Sequence, residues 1–211
     1  MKILNLYAGI GGNRKLWGDK HEVTAVELNP EIAKIYQEFF PKDKVIVADA
    51  HKYLLEHFQE YDFIWSSPPC QTHSRFNTLL VNGRGLKPRY PDMKLYQEII
   101  MLQHNFKGKW IIENTLSYYN PLIKPFEIGR HFYWCNFSLQ GIKNIKNQTI
   151  TNYKGKASLN KKMQAIGIFL PENIKFSGDK RTLINNCVEP ETALDILKVA
   201  FKTKQKTLEI E

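Results

Sequence analysis

Residues 3–12 read ILNLYAGIGG: an apolar run is followed at once by a turn with glycine at positions 9, 11 and 12. A short apolar run bounded by glycine is typical of a buried strand that ends in a tight turn. Glycine has no side chain to keep a ligand away from the backbone. The stretch therefore predicts a first strand whose end, the glycine turn (residues 7–12), approaches a ligand closely.

Downstream of the glycine turn, apolar runs alternate with stretches of helical spacing as far as residue 114. This alternation predicts a Rossmann-like α/β fold, a mostly parallel sheet with helices on both faces. Pro30 marks the start of the first long helix, because proline is favoured in a first turn. The predicted strands are residues 3–7, 23–27, 45–48, 63–65, 110–112 and 132–137, and the predicted helices are residues 30–40, 52–58, 95–106 and 194–201, with a short helix up to residue 17.

Four polar residues, Glu27, Asp49, Cys70 and Glu113, each follow a predicted strand, as the glycine turn does. Ligands of parallel sheets bind beyond the carboxyl ends of the strands. In those places Glu27 can hold ribose hydroxyls, and Asp49 can accept a hydrogen bond from an adenine amino group. With the glycine turn they predict a nucleoside site. The glycine at position 12 and the lack of a Walker lysine pattern disfavour a dinucleotide or a nucleoside triphosphate.

Cys70 lies in SSPPCQ, residues 66–71, behind two prolines that stiffen its approach. Polar residues follow it, so the position suits the presentation of a sulfur better than it suits core packing. We expect Arg75 or a helix N-terminus to lower the pKa of this thiol. Glu113 ends the next predicted strand, from which a carboxyl group can reach a ring held against Cys70.

The composition indicates a globular protein with a basic region. Hydrophobic residues make up 43% and charged residues 24%, and the net charge is +9. Residues 140–182 hold nine Lys or Arg against two Asp or Glu, which fits either a solvated loop region or a phosphate-contacting surface. Three cysteines without a C-x-x-C pair argue against disulfides and structural zinc. Because there is no membrane-length apolar run and no signal-peptide pattern, we expect a cytoplasmic protein.

Several short motifs, in their order along the chain, resemble those of the DNA cytosine-C5 methyltransferases. They are YAGIGG at residues 7–12, PCQ at residues 69–71, ENT at residues 113–115 and NCVEP at residues 186–190. GRHF at residues 129–132 lies where that family places arginines that support the catalytic pocket. Each motif is short, but the combination is specific, and it covers most of the chain outside residues 140–180.

The resemblance implies an S-adenosyl-L-methionine-dependent methyltransferase fold and its chemistry. Cys70 would attack C6 of a cytosine flipped out of DNA, Glu113 would contact N3 and the exocyclic amine, and C5 would take the methyl group. Arg130 would support the catalytic pocket. The implied cofactor contacts are Tyr7, Ala8, Gly9, Gly11, Gly12, Glu27, Leu28, Asp49, Ala50, Pro69, Asn186, Cys187 and Val188, and the implied nucleic-acid contacts are Gln71, Ser74, Asn114, Lys161 and Lys162.

The resemblance also predicts how the chain is divided. Residues 1–139 would form the catalytic and cofactor-binding domain, residues 140–182 a small basic target-recognition region, and residues 183–211 a segment that returns to the catalytic domain. Because the recognition region of this family is commonly much longer, we expect a short or relaxed target sequence in double-stranded DNA, or help from a second subunit of a homodimer. The size is typical of a phage or mobile-element enzyme, a restriction partner or a solitary methylase, and no metal is expected.

Three alternatives stay open at this point. One is an RNA cytosine-C5 methyltransferase, because one branch of the family acts on tRNA. Another is a catalytically silent DNA-binding relative, against which the intact Cys70 and Glu113 argue. A third is a cysteine-dependent hydrolase or a nucleotide-linked oxidoreductase. The sequence has no clear Cys-His-Asn arrangement for the hydrolase and no full glycine pattern for the oxidoreductase.

Overall fold

A computed structural model describes residues 1–75, 81, 83, 87, 89–142, 156–171 and 173–202. In this part of the chain the strands are β1 (Lys2–Leu6), β2 (Glu22–Glu27), β3 (Lys44–Val47), β4 (Phe63–Ser66), β5 (Lys109–Thr115), β6 (Phe126–Ile128) and β7 (His131–Cys135). They form one sheet in the order β3-β2-β1-β4-β5-β7-β6. The first five strands are parallel, whereas β7 runs antiparallel to both β5 and β6. The protein therefore has the predicted Rossmann-like α/β fold with a mostly parallel sheet.

The strand order reverses at β1, which pairs with β2 on one side and with β4 on the other. In open α/β sheets such a reversal leaves a crevice beyond the carboxyl ends of the two neighbouring strands. The glycine turn follows β1, and the segment that carries Cys70 follows β4. The topology therefore brings two of the predicted site segments to the same crevice.

The helices begin at residues whose side chains or rings favour a helix start. Asn29 caps α1 by accepting hydrogen bonds from the backbone N–H groups of Glu31 and Ile32, and Asp49 caps α2 in the same way. Proline occupies the first turn of α1 and of the last helix. The helices are α1 (Pro30–Phe39), α2 (Ala50–His57), α3 (Lys94–Asn105), α4 (Lys156–Ile166), α5 (Lys180–Asn185) and α6 (Pro190–Ala200). Across the described ranges, none of the helices is both long and apolar enough to cross a bilayer.

The core consists of two layers, one on each face of the sheet. Alternate strand residues point to opposite faces, so Leu4 and Ile64 pack on α3, whereas Ile3 and Phe63 pack on α6. Because both faces are covered, the central strands are near-continuous apolar runs, which is the pattern that the sequence showed. Asn5 interrupts the first run, and its amide is paired with that of Asn13 through two reciprocal hydrogen bonds.

The predicted strands and long helices are confirmed, with small shifts at their ends. Three elements, β6, α4 and α5, were not predicted. Helix α4 lies in the predicted recognition region and packs, through Leu159 and Met163, on a cluster that contains Ile10 and Ile35. Residues 143–155 and residue 172 of that region lie outside the described residues, and the division at residues 139 and 182 stays a prediction.

Candidate active site

A cavity of about 970 Å³ opens beyond the carboxyl ends of the parallel strands. Pockets for small ligands usually measure roughly 300–1,000 Å³, so the cavity has room for a cofactor and part of a second molecule. The predicted site residues on its wall are Tyr7, Gly9, Glu27, Leu28, Asp49, Ala50, Pro69, Cys70, Gln71, Glu113, Asn114, Arg130, Lys162, Asn186, Cys187 and Val188. Ala8 and Gly12 line a smaller pocket that shares part of this wall. Gly11, Ser74 and Lys161 lie off both walls.

The glycine turn takes a backbone path that L-residues rarely follow. Tyr7, Gly9 and Gly11 have φ values of 54°, 55° and 82°. A Cβ atom on Gly12 would lie 2.7 Å from Cβ of Cys187 and 2.8 Å from the carbonyl oxygen of Val188. Glycine at position 12 therefore lets residues 186–188 lie against the first turn, where the sequence placed them. Gly11 instead packs against two aromatic rings, those of Tyr36 in α1 and of Phe40, the residue that follows α1.

The Glu27 carboxylate joins the glycine turn to the start of α1. One oxygen accepts a hydrogen bond from the Gly9 N–H at 3.0 Å, and the other accepts from the Asn29 N–H at 2.9 Å. An ionised carboxylate has about four acceptor positions, so about two stay available for donors of a ligand. The side chain is thus held at the cavity wall with hydrogen-bonding capacity for hydroxyl groups.

Asp49 and Leu28 offer a polar and an apolar contact on the same wall. The backbone N–H of Lys52 donates to Asp49 and holds the pKa of its carboxyl group below the ordinary value. Asp49 is therefore an ionised acceptor at neutral pH. Leu28 is 67% exposed on this wall, so its apolar side chain is open to the face of a bound ring.

Cys70 is half-buried at the turn that follows β4, and the N–H groups of His73 and Ser74 donate to its carbonyl oxygen. Burial raises the pKa of its thiol, and the negative charge of Glu113 raises it further. The expectation that Arg75 lowers this pKa is wrong, because the Arg75 Nε atom donates to the carbonyl oxygen of Ser117 instead. The net shift is upward, because burial and Glu113 outweigh the backbone hydrogen bond that lowers this pKa.

Glu113 lies at the end of β5, beside β4, and is 8% exposed on the wall that also holds Cys70. The next residue ties the two strand ends together. The Asn114 side-chain amide donates to the carbonyl oxygen of Pro68 at 3.0 Å. Asn114 is only 1% exposed, so this bond fixes the approach to Cys70 relative to Glu113.

The partner of Glu113 is a histidine that the sequence did not single out. His131 Nε2 lies 3.6 Å from Glu113 Oε1, and both side chains line the cavity. Arg130, the predicted catalytic residue, is exposed and also lines the cavity. The register of β7 against β5 pairs Glu113 with Tyr133 and Thr115 with His131, so His131 reaches Glu113 diagonally, from the same face of the sheet.

The predicted nucleic-acid contacts are distributed unevenly. Gln71 is exposed on the cavity wall, whereas Ser74 pairs with Ser117 in an isolated bridge. Lys161 is exposed on α4, and Lys162 is half-buried, lines the cavity and donates to the side-chain oxygen of Asn185. The two adjacent lysines therefore occupy different environments.

Glu98 of α3 is a second residue that the sequence reasoning missed. It is fully buried and accepts hydrogen bonds from Tyr7 and Ser66, and it lies 3.0 Å from Nδ1 of His51. The sequence showed only a charged residue within a stretch of helical spacing. A signal was present, since Glu98 falls between the apolar residues 95 and 99 that point into the core.

Comparison with known proteins places these features in a family. The model of the family described as C-5 cytosine-specific DNA methylase matches residues 1–116. A tRNA (cytosine(38)-C(5))-methyltransferase of Spodoptera frugiperda is 28% identical over 147 residues, which are 66% of this chain and 42% of that protein. The chain thus spans less than half the length of this curated relative.

Solved structures of methyltransferases are similar over part of the chain. A DNMT2 variant of Spodoptera frugiperda is 27% identical, with a TM-score of 0.38, over 54% of this chain and 35% of that one. A putative DNA modification methyltransferase encoded within an E. coli prophage is 14% identical, with a TM-score of 0.42, over 64% and 46%. The assignment rests on the family model, which covers more than half of the residues and includes the glycine turn, Cys70 and Glu113. The chain belongs to the C-5 cytosine-specific DNA methylase family.

Proposed function

We propose that this protein methylates C5 of a cytosine in double-stranded DNA with S-adenosyl-L-methionine as the methyl donor. The proposal rests on one observation. Cys70, in the turn after β4, and Glu113, near the end of the adjacent strand β5, line the same cavity as the glycine turn. This reaction needs a nucleophile, an acid and a nucleoside-binding site around one cavity.

Three residues of the cavity wall, Glu27, Asp49 and Leu28, fit the cofactor that membership of this family implies. Glu27 has acceptor positions left for the ribose hydroxyls, and ionised Asp49 can accept from the adenine amino group. Leu28 offers an apolar surface to the adenine face, and residues 7–9 and 186–188 line the cavity or the smaller pocket beside it. When bound, S-adenosyl-L-methionine supplies an electrophilic methyl group.

The reaction starts at the sulfur of Cys70. Its thiolate forms a bond to C6 of the cytosine, and the electron pair of the C5–C6 double bond moves to C5. C5 takes the methyl group as the S–CH3 bond of the donor breaks, which leaves S-adenosylhomocysteine. Loss of the C5 proton then expels Cys70 and restores the double bond. Because burial and Glu113 hold the thiol protonated in the free protein, we expect the thiolate to form once the base occupies the cavity.

Glu113 makes C6 electrophilic enough for that attack. Its carboxyl group contacts N3 and the exocyclic amine of the ring, and His131 at 3.6 Å places a second polar group beside it. We propose that His131, more than Arg130, supports the catalytic pocket around Glu113. C6 cannot be reached in a stacked base, so the cytosine must leave the duplex before it enters the cavity.

DNA and RNA are the two candidate substrates within this chemistry. The family model is that of DNA methylases, and the curated relative is named a tRNA methyltransferase. Transfer of labelled methyl groups to duplex DNA and to tRNA, with Cys70→Ser as the control, separates the two. We expect Cys70-dependent label in DNA, and label in RNA alone would contradict the choice of DNA. The hydrolase and oxidoreductase alternatives gain no support from the comparisons.

The setting of the enzyme is part of the same proposal. With a recognition region of about forty residues, it would read a short target in cytoplasmic DNA, alone or as a homodimer, in a phage, restriction–modification or solitary context. Bisulfite sequencing of DNA from cells that express the protein tests this. Methylation confined to one short motif is expected, and a conversion pattern identical to that of the Cys70→Ser strain would contradict it.

A further inference from the structure

Glu98 is a charged side chain placed where a charge is costly. It is 0% exposed on the inner face of α3. The Tyr7 hydroxyl donates to Oε1 at 2.6 Å, the Ser66 hydroxyl donates to Oε2 at 2.8 Å, and His51 Nδ1 lies 3.0 Å from Oε1. A buried carboxylate is tolerated only when such partners satisfy it, so the three partners and Glu98 form one unit.

The three partners come from three segments that lead into the cavity. Tyr7 opens the glycine turn, and His51 lies two residues after Asp49 at the start of α2. Ser66 is the last residue of β4, four residues before Cys70. The Glu98 carboxylate, on α3, therefore joins three segments: the glycine turn, the start of α2 and the end of β4, the strand that leads to Cys70.

Tyr7 is the partner that touches the ligand space. It lines both the cavity and the adjoining pocket. Among the described residues it alone has a positive φ without being glycine, a conformation that costs energy for an L-residue. Burial raises the pKa of its hydroxyl, and Glu98 raises it further, so the hydroxyl stays protonated and donates.

We propose that Glu98 is a positioning residue for the cofactor: it fixes the Tyr7 side chain at the cavity wall and acts on the ligand through Tyr7. This inference rests on the proposed function, because it takes the cavity as the S-adenosyl-L-methionine site. A purely structural role would predict a loss of stability without a loss of affinity in the folded protein.

Two substitutions at position 98 separate the bonds from the charge. In Glu98→Gln the amide oxygen can still accept from Tyr7 and His51, and the amide nitrogen can donate to Ser66 once that hydroxyl rotates. In Glu98→Met the side chain keeps its length but accepts no strong hydrogen bond. Leu102→Ala, in the same helix and equally buried, is the control for stability alone.

The experiment is calorimetric titration with S-adenosylhomocysteine, together with thermal unfolding of each variant. We expect Glu98→Met to raise Kd about tenfold or more, the loss typical of a hydrogen bond to a charged group, and Glu98→Gln to stay within about threefold. Leu102→Ala should lower Tm and leave Kd unchanged. A Glu98→Met variant that is folded and binds as tightly as the wild type would overturn the proposal.

Tyr7→Phe tests the route and serves if Glu98→Met does not fold. It removes only the hydroxyl, and it should raise Kd by roughly threefold to tenfold. Where both can be made, adding Glu98→Met to Tyr7→Phe should change Kd little further, because the two act in series. An unchanged Kd in Tyr7→Phe, or fully additive effects, would overturn the route through Tyr7. Wild-type protein that fails to bind S-adenosylhomocysteine would instead contradict the proposed function, and this inference with it.

Discussion

The Cys70 thiol lies in surroundings that oppose its ionisation in the free protein. Burial is the larger cause of its raised pKa, and the carboxylate of Glu113 is the second. A thiol kept protonated is a weak nucleophile and is slow to oxidise. The arrangement therefore keeps the sulfur poorly reactive in the free protein. Under the proposed mechanism, Glu113 disfavours the thiolate and also assists the reaction at the cytosine ring.

Because Glu113 disfavours the Cys70 thiolate, Glu113→Gln should make the Cys70 thiol more reactive toward alkylation and should also abolish methyl transfer. Since a raised pKa favours the protonated form, alkylation of Cys70 by iodoacetamide should rise only above the pH at which an ordinary thiol ionises. Glu113→Gln removes a nearby negative charge, so the midpoint should move to lower pH. The same variant should lose methyl transfer, because it cannot supply the carboxyl group to N3.

Peptide mass spectrometry after alkylation at each pH measures the midpoint. Cys135 is an internal reference in the same samples, because burial raises the pKa of its thiol to about 11 without a carboxylate among the causes. Its curve should be the same in both proteins. A Cys70 midpoint that stays in place or moves to higher pH in Glu113→Gln would contradict the account of this thiol.

Helix α4 contributes lysines to two different surfaces, the cavity wall and the outside of the molecule. Leu159, Met163 and Ile166 recur at helical spacing and pack on the cluster around α1. Adjacent residues of a helix point about 100° apart, so Lys161 and Lys162 face different surroundings. Lys162 faces the cavity beside Asn185, and Lys161 is exposed on the outside.

The two lysines should therefore respond differently to the same change. Lys161→Gln should reduce the slope of log K against log salt for DNA by about 0.9, with little change in turnover at saturating DNA, if Lys161 contacts a phosphate. Lys162→Gln should lower turnover, because it alters the cavity wall. Salt-dependent binding and saturated turnover, measured for both variants, test this. Identical behaviour of the pair would contradict the division between surfaces.

Over the whole molecule, a buried ion pair links the turn that follows the glycine turn to the edge of the sheet at β3. Arg14 donates two hydrogen bonds to Asp43, at 2.7 and 2.9 Å, and the side chains are 3% and 2% exposed. The Tyr36 hydroxyl also donates to Asp43, and the Arg14 guanidinium lies 5.0 Å from the centre of the Phe40 ring. Arg14 lies in the turn that follows the glycine turn, and Asp43 lies in the loop before β3, so the pair joins these two segments.

Breaking this pair should destabilise the fold strongly. Asp43→Ala leaves a buried guanidinium without its buried counter-ion, so we expect the free energy of unfolding to fall by about 3–5 kcal/mol. Asp19 is exposed, pairs with Lys42 and lies 3.7 Å from Arg14, so Asp19→Ala should lower the free energy of unfolding by at most about 1 kcal/mol. Urea unfolding of both variants measures the difference. Equal stabilities of Asp43→Ala and Asp19→Ala would show that the pair does not hold the fold together.

The sequence predicted the features that depend on local pattern. Apolar runs marked the strands, and Glu27, Asp49, Cys70 and Glu113 were placed because each follows a strand. Glu98 was missed because its partner Tyr7 is 91 residues away, and no local pattern reports such a bond. His131 was missed because it depends on the register of β7. The direction of the Cys70 pKa shift was wrong because burial is a property of the folded chain.

The proposed reaction begins with the addition of Cys70 to C6 of a cytosine. Duplex DNA and RNA of randomised sequence that contain 5-fluorocytosine test it directly, since fluorine at C5 cannot leave as the proton does and the adduct persists. With S-adenosyl-L-methionine present, we expect a covalent complex that mass spectrometry maps to Cys70 and that Cys70→Ser lacks. No adduct with either nucleic acid, or an adduct that persists in Cys70→Ser, would contradict it and favour a catalytically silent protein.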